Sequence, residues 1–275
     1  MGLKIAAPLR HSWLVFSAET KRLTAYRAQF WFELVLSSIV ELLIALAVWR
    51  TVFAASGATQ IGGYTLEGMM LYLTVAIFFG QATKGTGVGT FQREVYDGSL
   101  TKYLIYPLSV YSYKLGTFMP RSLFALGQML LALAGIWLLG YWPPETSLSF
   151  EWMMAGIVCL FFSCLLYFFL IILLESLAFW ADNIWALSYA LQIAIVFLSG
   201  KAVPLELFPS WVRSVLEISP FPFLAYFPAQ VFLGTIDYHN FVAGVPVLLG
   251  WTVAAYAGSR IIMSRGLHRY TGVGQ

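Results

Sequence analysis

Charge is what this sequence has least of. Only 11% of its 275 residues are Asp, Glu, Lys or Arg, against about 25% in an ordinary soluble domain. So thin a supply cannot cover a water-facing surface, which excludes a soluble globular protein. Histidine is scarcer still. His11, His239 and His268 fall in the N-terminal segment, an outer loop and the tail. That leaves a membrane-embedded transferase or hydrolase without the convergent acid–base groups its chemistry needs. Cysteine is limited to Cys159 and Cys164, five residues apart in one apolar run. They do not share a helix face and have no His or Asp beside them, so they read as small apolar residues, not metal ligands. No metal site is expected. The first thirty residues carry Lys4, Arg10, Lys21, Arg22 and Arg27 but no compact apolar core with a cleavage site, so no cleavable signal peptide is expected. A nucleotide loop is missing as well. Gly80, Lys84, Gly85, Gly87 and Gly89 imitate one, without the Gly-Lys-Ser/Thr ending that sets a lysine on phosphate. Small residues at a helix end, allowing close approach, explain them better. No cofactor bound by this chain is expected.

What the sequence has in quantity is apolar residues, at 60%, and aromatics, at 17%. Ten Trp and fifteen Tyr suit rings that anchor helices at headgroup level. A spanning helix needs about 20 mostly apolar residues. Six segments meet or approach that: 30–53, 64–83, 115–141, 152–174, 184–203 and 241–259. The expected fold is an all-α integral membrane protein with six transmembrane helices. An even number of spans puts both termini on one side, and thirteen of the sixteen Lys and Arg fall on that side. The positive-inside bias then makes the N- and C-termini cytoplasmic. Arg50, Lys201 and Arg213 are the three left outside.

The expected organisation has three parts: residues 1–29, a permease domain over 30–260, and a cytoplasmic tail over 261–275. In the first, Leu9, Trp13, Phe16, Leu23 and Phe30 recur at helical spacing among basic residues, as in a helix lying in the membrane interface. Before the last span, residues 204–234 are too apolar for a free loop. Pro204, Pro209, Pro220, Pro222 and Pro228 nevertheless interrupt them. Irregular backbone at membrane depth must be buried in protein or line a cavity. The expectation is two short helices forming an extracytoplasmic re-entrant hairpin, not a seventh span.

Charges inside spans are functional candidates. Glu41 lies about 11 residues, or roughly 17 Å, into the first span at the helical rise. An unpaired acid at that depth costs on the order of 3 kcal/mol. Glu33, Ser37 and Glu41 form one polar stripe, and Gln128 and Gln192 are the other mid-span polar groups. Two readings stay open: a polar lining for a substrate path, or interhelical hydrogen bonds that fix packing.

Between spans two and three, residues 84–114 form the longest soluble stretch. Asp97-Gly98 signals a turn, and Asp97 or Ser99 could cap a short helix ended by Pro107. Leu100, Tyr103 and Leu104 would give that helix an apolar edge, with Arg93 and Lys102 nearby. A partner's groove could grip such a helix, and a solvated loop fits equally well.

Four stretches together resemble the ABC type-2 permeases, in the branch of short six-span permeases of bacterial exporters. They are Tyr26-Arg27 to Phe30-Trp31, Ile61-Gly62-Gly63-Tyr64 to Glu67 with the 93–107 loop, Leu177 to Trp180 with Gly200 to Pro209, and Arg265-Gly266 to Gly274. The resemblance implies two permeases, of one or two kinds, facing each other in the bacterial cytoplasmic (inner) membrane. Each would dock on one of two ABC ATPase subunits, which carry the ATP and Mg. Docking would use a coupling helix containing Arg93, Glu94, Asp97, Gly98, Leu100, Lys102 and Leu104. Glu175 and Asp182 would supply a second contact. The hairpin residues Pro204, Phe208, Pro209, Trp211, Pro220, Pro222 and Pro228 would form an outer gate. The chain itself would be non-catalytic and export an amphipathic or lipid-like substrate. Its other partner is membrane lipid, and no nucleic acid is expected. The competing reading is a secondary transporter driven by an ion gradient. Matched, interrupted halves would favour it, whereas six unlike spans do not.

Overall fold

The structure, a computed structural model, describes residues 6–25, 27–85, 90–105, 109–143, 148–181 and 183–270. Within these, the side chains of 6–12, 27–31, 33–34 and 104–105 are outside the described set. The chain is an all-helical membrane protein. Among the described residues, five helices are long and apolar enough to cross a bilayer. They lie in α2 (Arg27–Ser56), α3 (Leu66–Lys84), α6 (Val110–Leu138), α7 (Phe150–Glu175) and α11 (Tyr238–Leu267). A helix α1 (Ala6–Ala25) precedes them and packs along α6. Leu23 of α1 is buried while Trp13 stays exposed and stacks on Phe16.

The expected fifth span differs. The segment 184–203 forms α8 (Trp185–Leu198), a helix of only 14 residues, or roughly 21 Å at the helical rise. Ser199 ends it and Gly200 turns the chain at φ +79, a left-handed conformation that glycine takes without steric cost. The backbone beyond is held at depth within the bundle. Tyr72 of α3 donates to Gly200 O at 2.8 Å, and Tyr226 N donates to Ser199 O at 2.9 Å.

Residues 204–234, expected as a hairpin, contain two short helices, α9 (Ser210–Ile218) and α10 (Tyr226–Leu233), each preceded by a 3-10 turn. Four of the five prolines sit where a missing N–H costs nothing or little. Pro204 caps a 3-10 turn, Pro209 caps α9, Pro222 opens a turn, and Pro228 lies in the first turn of α10. The two helices differ sharply. α10 is buried against α7 and α3, and its Phe232 is fully enclosed. A Cβ on Gly156 of α7 would come within 2.5 Å of Phe232 Cα. Bare backbone at Gly156 therefore sets the α7–α10 approach, as small residues do between membrane helices. By contrast, α9 leaves Trp211, Val215 and Ile218 exposed along one face.

α7 is the central post, packed by α3, α10 and α11; α3 in turn carries α2 and α6. Shape complementarity drives this association more than apolar burial does, since lipid is as apolar as a leucine.

Candidate functional site

At the end of the bundle where α3 and α7 finish, the loop expected as one short helix folds as two: α4 (Thr90–Tyr96) and α5 (Thr101–Ile105). The turn between them follows from Asp97-Gly98. Gly98 takes φ +78, and the Asp97 carboxylate accepts from Ser99 N at 2.9 Å. Those hydrogen bonds with Ser99 hold the Asp97 carboxyl below the usual carboxylate range.

This two-helix unit is fastened at several points. Glu175, the last residue of α7, is 1% accessible. Its Oε2 accepts from the backbone N–H of Phe91 at 2.8 Å and of Gln92 at 3.2 Å, satisfying donors that a helix start leaves orphaned. Tyr96 donates to Ala181 O at 2.8 Å. From just past α11, Tyr270 donates to Gly98 O at 2.5 Å and lies 3.1 Å from Thr101 Oγ1. Phe179 meets both Phe91 and Tyr270 edge to face. Inside the unit, Glu94 Oε1 accepts from Lys102 at 3.0 Å and from Tyr103 OH at 2.8 Å. Lys114 Nζ lies 2.7 Å from Glu94 Oε2, outside hydrogen-bonding direction there, so that contact is ionic.

One expectation is corrected here. The sequence lets Leu100 and Tyr103 form an apolar edge open to a partner's groove. Both are buried, Leu100 completely, because the turn at Gly98 rolls α5 back onto the chain's own core. The outward residues are Arg93 and Asp97. With Lys102 they border a groove of about 940 Å³ whose other wall is Trp185, Tyr189 and Gln192 of α8. Gln192 thus lines this groove together with the loop. Asp182 lies outside the described residues, as do 86–89 and 106–108 of the loop and 271–275 of the tail; the side chains of Leu104 and Glu33 do too.

Glu41 is not alone within the bundle. Lys201 Nζ is 2.6 Å from Glu41 Oε2, and Gln81 Nε2 donates to Oε1 at 3.2 Å. Lys201, expected among the outer-side charges, is turned inward onto α2. Its stem passes Gly80, where a Cβ would sit 2.7 Å from Lys201 Cδ. Ser37 is half-buried on the same flank of α2. Gln128 is buried in α6, and its Oε1 finds no hydrogen-bond partner among the described residues. The mid-span polar groups therefore do not gather into one path: Glu41 joins Lys201, Gln192 joins the loop groove and Gln128 stands apart.

At the opposite end, under α9 and α10, sits a set the sequence reading missed. Glu206 Oε1 accepts from Tyr226 OH at 2.6 Å and from Gln230 Nε2 at 3.2 Å, and Gln230 also donates to Tyr64 OH at 2.5 Å. This network pins α10 to the chain before α3. Of the expected gate residues, Pro204, Pro222 and Pro228 are buried, while Pro209 and Trp211 are exposed. Phe208, Pro209, Pro220 and Pro228 lie within the same turns and helix ends.

Among the described residues, no three His, Cys, Asp or Glu side chains group closely enough to hold a metal. Residues 39–274 match the model of a family described as ABC-2 family transporter protein. No curated protein matches the chain.

Proposed function

The chain belongs to the ABC-2 transporter family, and from that premise we propose that it is the non-catalytic permease of an ATP-driven exporter. As the permease component of an ABC transporter, it works with a separate ABC ATPase. In this reading α4 and α5 dock on one of two ATPase subunits in the bacterial cytoplasm, and ATP with Mg is bound there and not here. A second permease, the same chain or a different one, completes the pair. ATP-driven approach of the two docking units biases the pair between inward- and outward-open arrangements.

The observation that carries this reading is the fastening of α4 and α5. A docking element transmits force only if it moves as one piece with the helices behind it. Glu175 ties α4 to α7, and Tyr270 ties the Gly98 turn to the end of α11. Arg93 and Asp97 are left outward for a partner. The amphipathic nature of the substrate is supported by apolar walls around the few polar groups within the bundle.

The test is recovery of a partner. C-terminally tagged protein, extracted in mild detergent from its own cells, should bring an ABC ATPase with it. Charge reversal at the exposed pair, Arg93→Glu with Asp97→Lys, should lower that recovery at least tenfold while the chain remains monodisperse. A folded chain recovered without any ATPase would refute the proposal.

A further inference from the structure

Three stretches far apart in sequence meet part-way through the bundle: Glu41 on α2, Gln81 on α3, and Lys201 beyond the end of α8. Glu41 and Lys201 form the polar end of a cavity of about 330 Å³, room for about ten water-sized groups. Its remaining walls are apolar, among them Ile44, Val48, Trp49, Ile77 and Val196. Ile44 and Val48 are 58% and 51% exposed, so the cavity opens sideways along the outward face of α2. In a membrane-spanning helix that face meets acyl chains, not water.

The polar end is incomplete. An ammonium carries three donors, and the recorded partner of Lys201 among the described residues is Glu41. The Glu41 side chain is itself 37% exposed toward the cavity. An ion pair withdrawn from water is favourable only when its remaining donors and lone pairs are satisfied, and hydrocarbon cannot satisfy them. Sign follows from the neighbours. Both oxygens of Glu41 are met, Oε1 by Gln81 and Oε2 by Lys201, whereas Lys201 spends one of its three donors on Glu41, so the groups left over are donors and call for an acceptor.

We propose that this cavity binds an amphiphile entering from the bilayer. Its anionic phosphate or carboxylate head bonds to Lys201, and its acyl chain lies along Ile44, Val48 and Val196. This deepens the transport reading by naming a ligand class. Binding is read on the chain itself, so its failure and the absence of an ATPase partner are separate results.

The probe is oleoyl lysophosphatidic acid, added to the purified full chain in non-ionic detergent and followed by native mass spectrometry. Monooleoylglycerol supplies the same chain without charge, and glycerol 3-phosphate the head without chain. The anionic amphiphile should bind saturably and at least tenfold more tightly than monooleoylglycerol, with no competition from glycerol 3-phosphate. Glu41→Gln combined with Lys201→Gln removes both charges together, leaving neither unpaired, and should abolish the preference. Equal binding of the two oleoyl compounds, effective competition by the head alone, or an unchanged preference in the double variant would each overturn the proposal. Should the double variant not fold, Val48→Trp keeps the pair and fills the cavity. Binding must then fall at least tenfold, and unchanged binding overturns the proposal.

Discussion

Tyr270 reaches across 172 positions of sequence to donate its phenolic proton to the carbonyl of Gly98 at 2.5 Å. The contact joins the end of the last span to the turn between α4 and α5. A neutral hydrogen bond of this kind contributes about 1 kcal/mol, equivalent to roughly a fivefold change in a local opening equilibrium. Tyr270→Phe keeps the ring contact with Phe179 and removes only the hydroxyl. The expected outcome is about fivefold faster proteolytic cleavage at 97–100 with little change in overall thermal stability. A drop in global melting temperature as large as that of a core deletion would show that Tyr270 does more than latch the turn.

Glu175 should behave differently because it is buried and serves two donors. Glu175→Ala leaves the N–H groups of Phe91 and Gln92 without their acceptor. Stranding buried donors costs about 1–3 kcal/mol. Glu175→Gln keeps one carbonyl oxygen to accept and should lose less than half as much. Hydrogen exchange at the start of α4 measures both, and the ranking Ala worse than Gln worse than wild type is the expected result. Equal exchange in all three would mean that packing of Phe91 alone holds the helix.

Much of this architecture was legible in the sequence, for identifiable reasons. Long uncharged runs expose spanning helices whatever their neighbours, and the prolines of 204–234 announce backbone that cannot span. The shortening of α8 was not legible. Residues 193–200 stay apolar up to Lys201, and hydropathy cannot register that Gly200 takes a left-handed turn. The burial of Leu100 was equally hidden, since an amphipathic edge looks the same whether it faces a partner's groove or its own core. The Glu41–Lys201 pair joins residues 160 positions apart, and no periodicity links α2 to the segment after α8. The available signal was two opposite charges, each rare within an apolar run.

Asp97 sets a pH limit on the turn. Its carboxyl titrates below the ordinary carboxylate range because the charged form accepts from Ser99. A depressed folded-state value stabilises the turn at pH values above the unfolded value of about 3.9. That contribution is lost as pH falls through the lower, folded value. Exchange protection at Ser99, corrected for intrinsic rate, should therefore be flat from pH 8 to about pH 5 and decline only below the unfolded value. Asp97→Asn should remove the acid limb. A wild-type decline centred near pH 6 would implicate another group.

Gly80 tests the packing around Lys201 by a change of sign. Glycine within a helix is less stable than alanine by roughly 0.5–1 kcal/mol, so Gly80→Ala should stabilise α3 if space allowed. Space does not allow it: the new Cβ would lie 2.7 Å from Lys201 Cδ. That methylene cannot swing aside freely, because Nζ is held 2.6 Å from Glu41. Overpacking costs typically 1–3 kcal/mol, which outweighs the helix gain, so Gly80→Ala should lower the melting temperature in detergent. In a Lys201→Ala background the obstructing stem is absent, and the same substitution should raise it. Comparing the four proteins as a double-mutant cycle cancels the separate cost of leaving Glu41 unpaired. Destabilisation of equal size in both backgrounds would place the obstruction elsewhere than at Lys201.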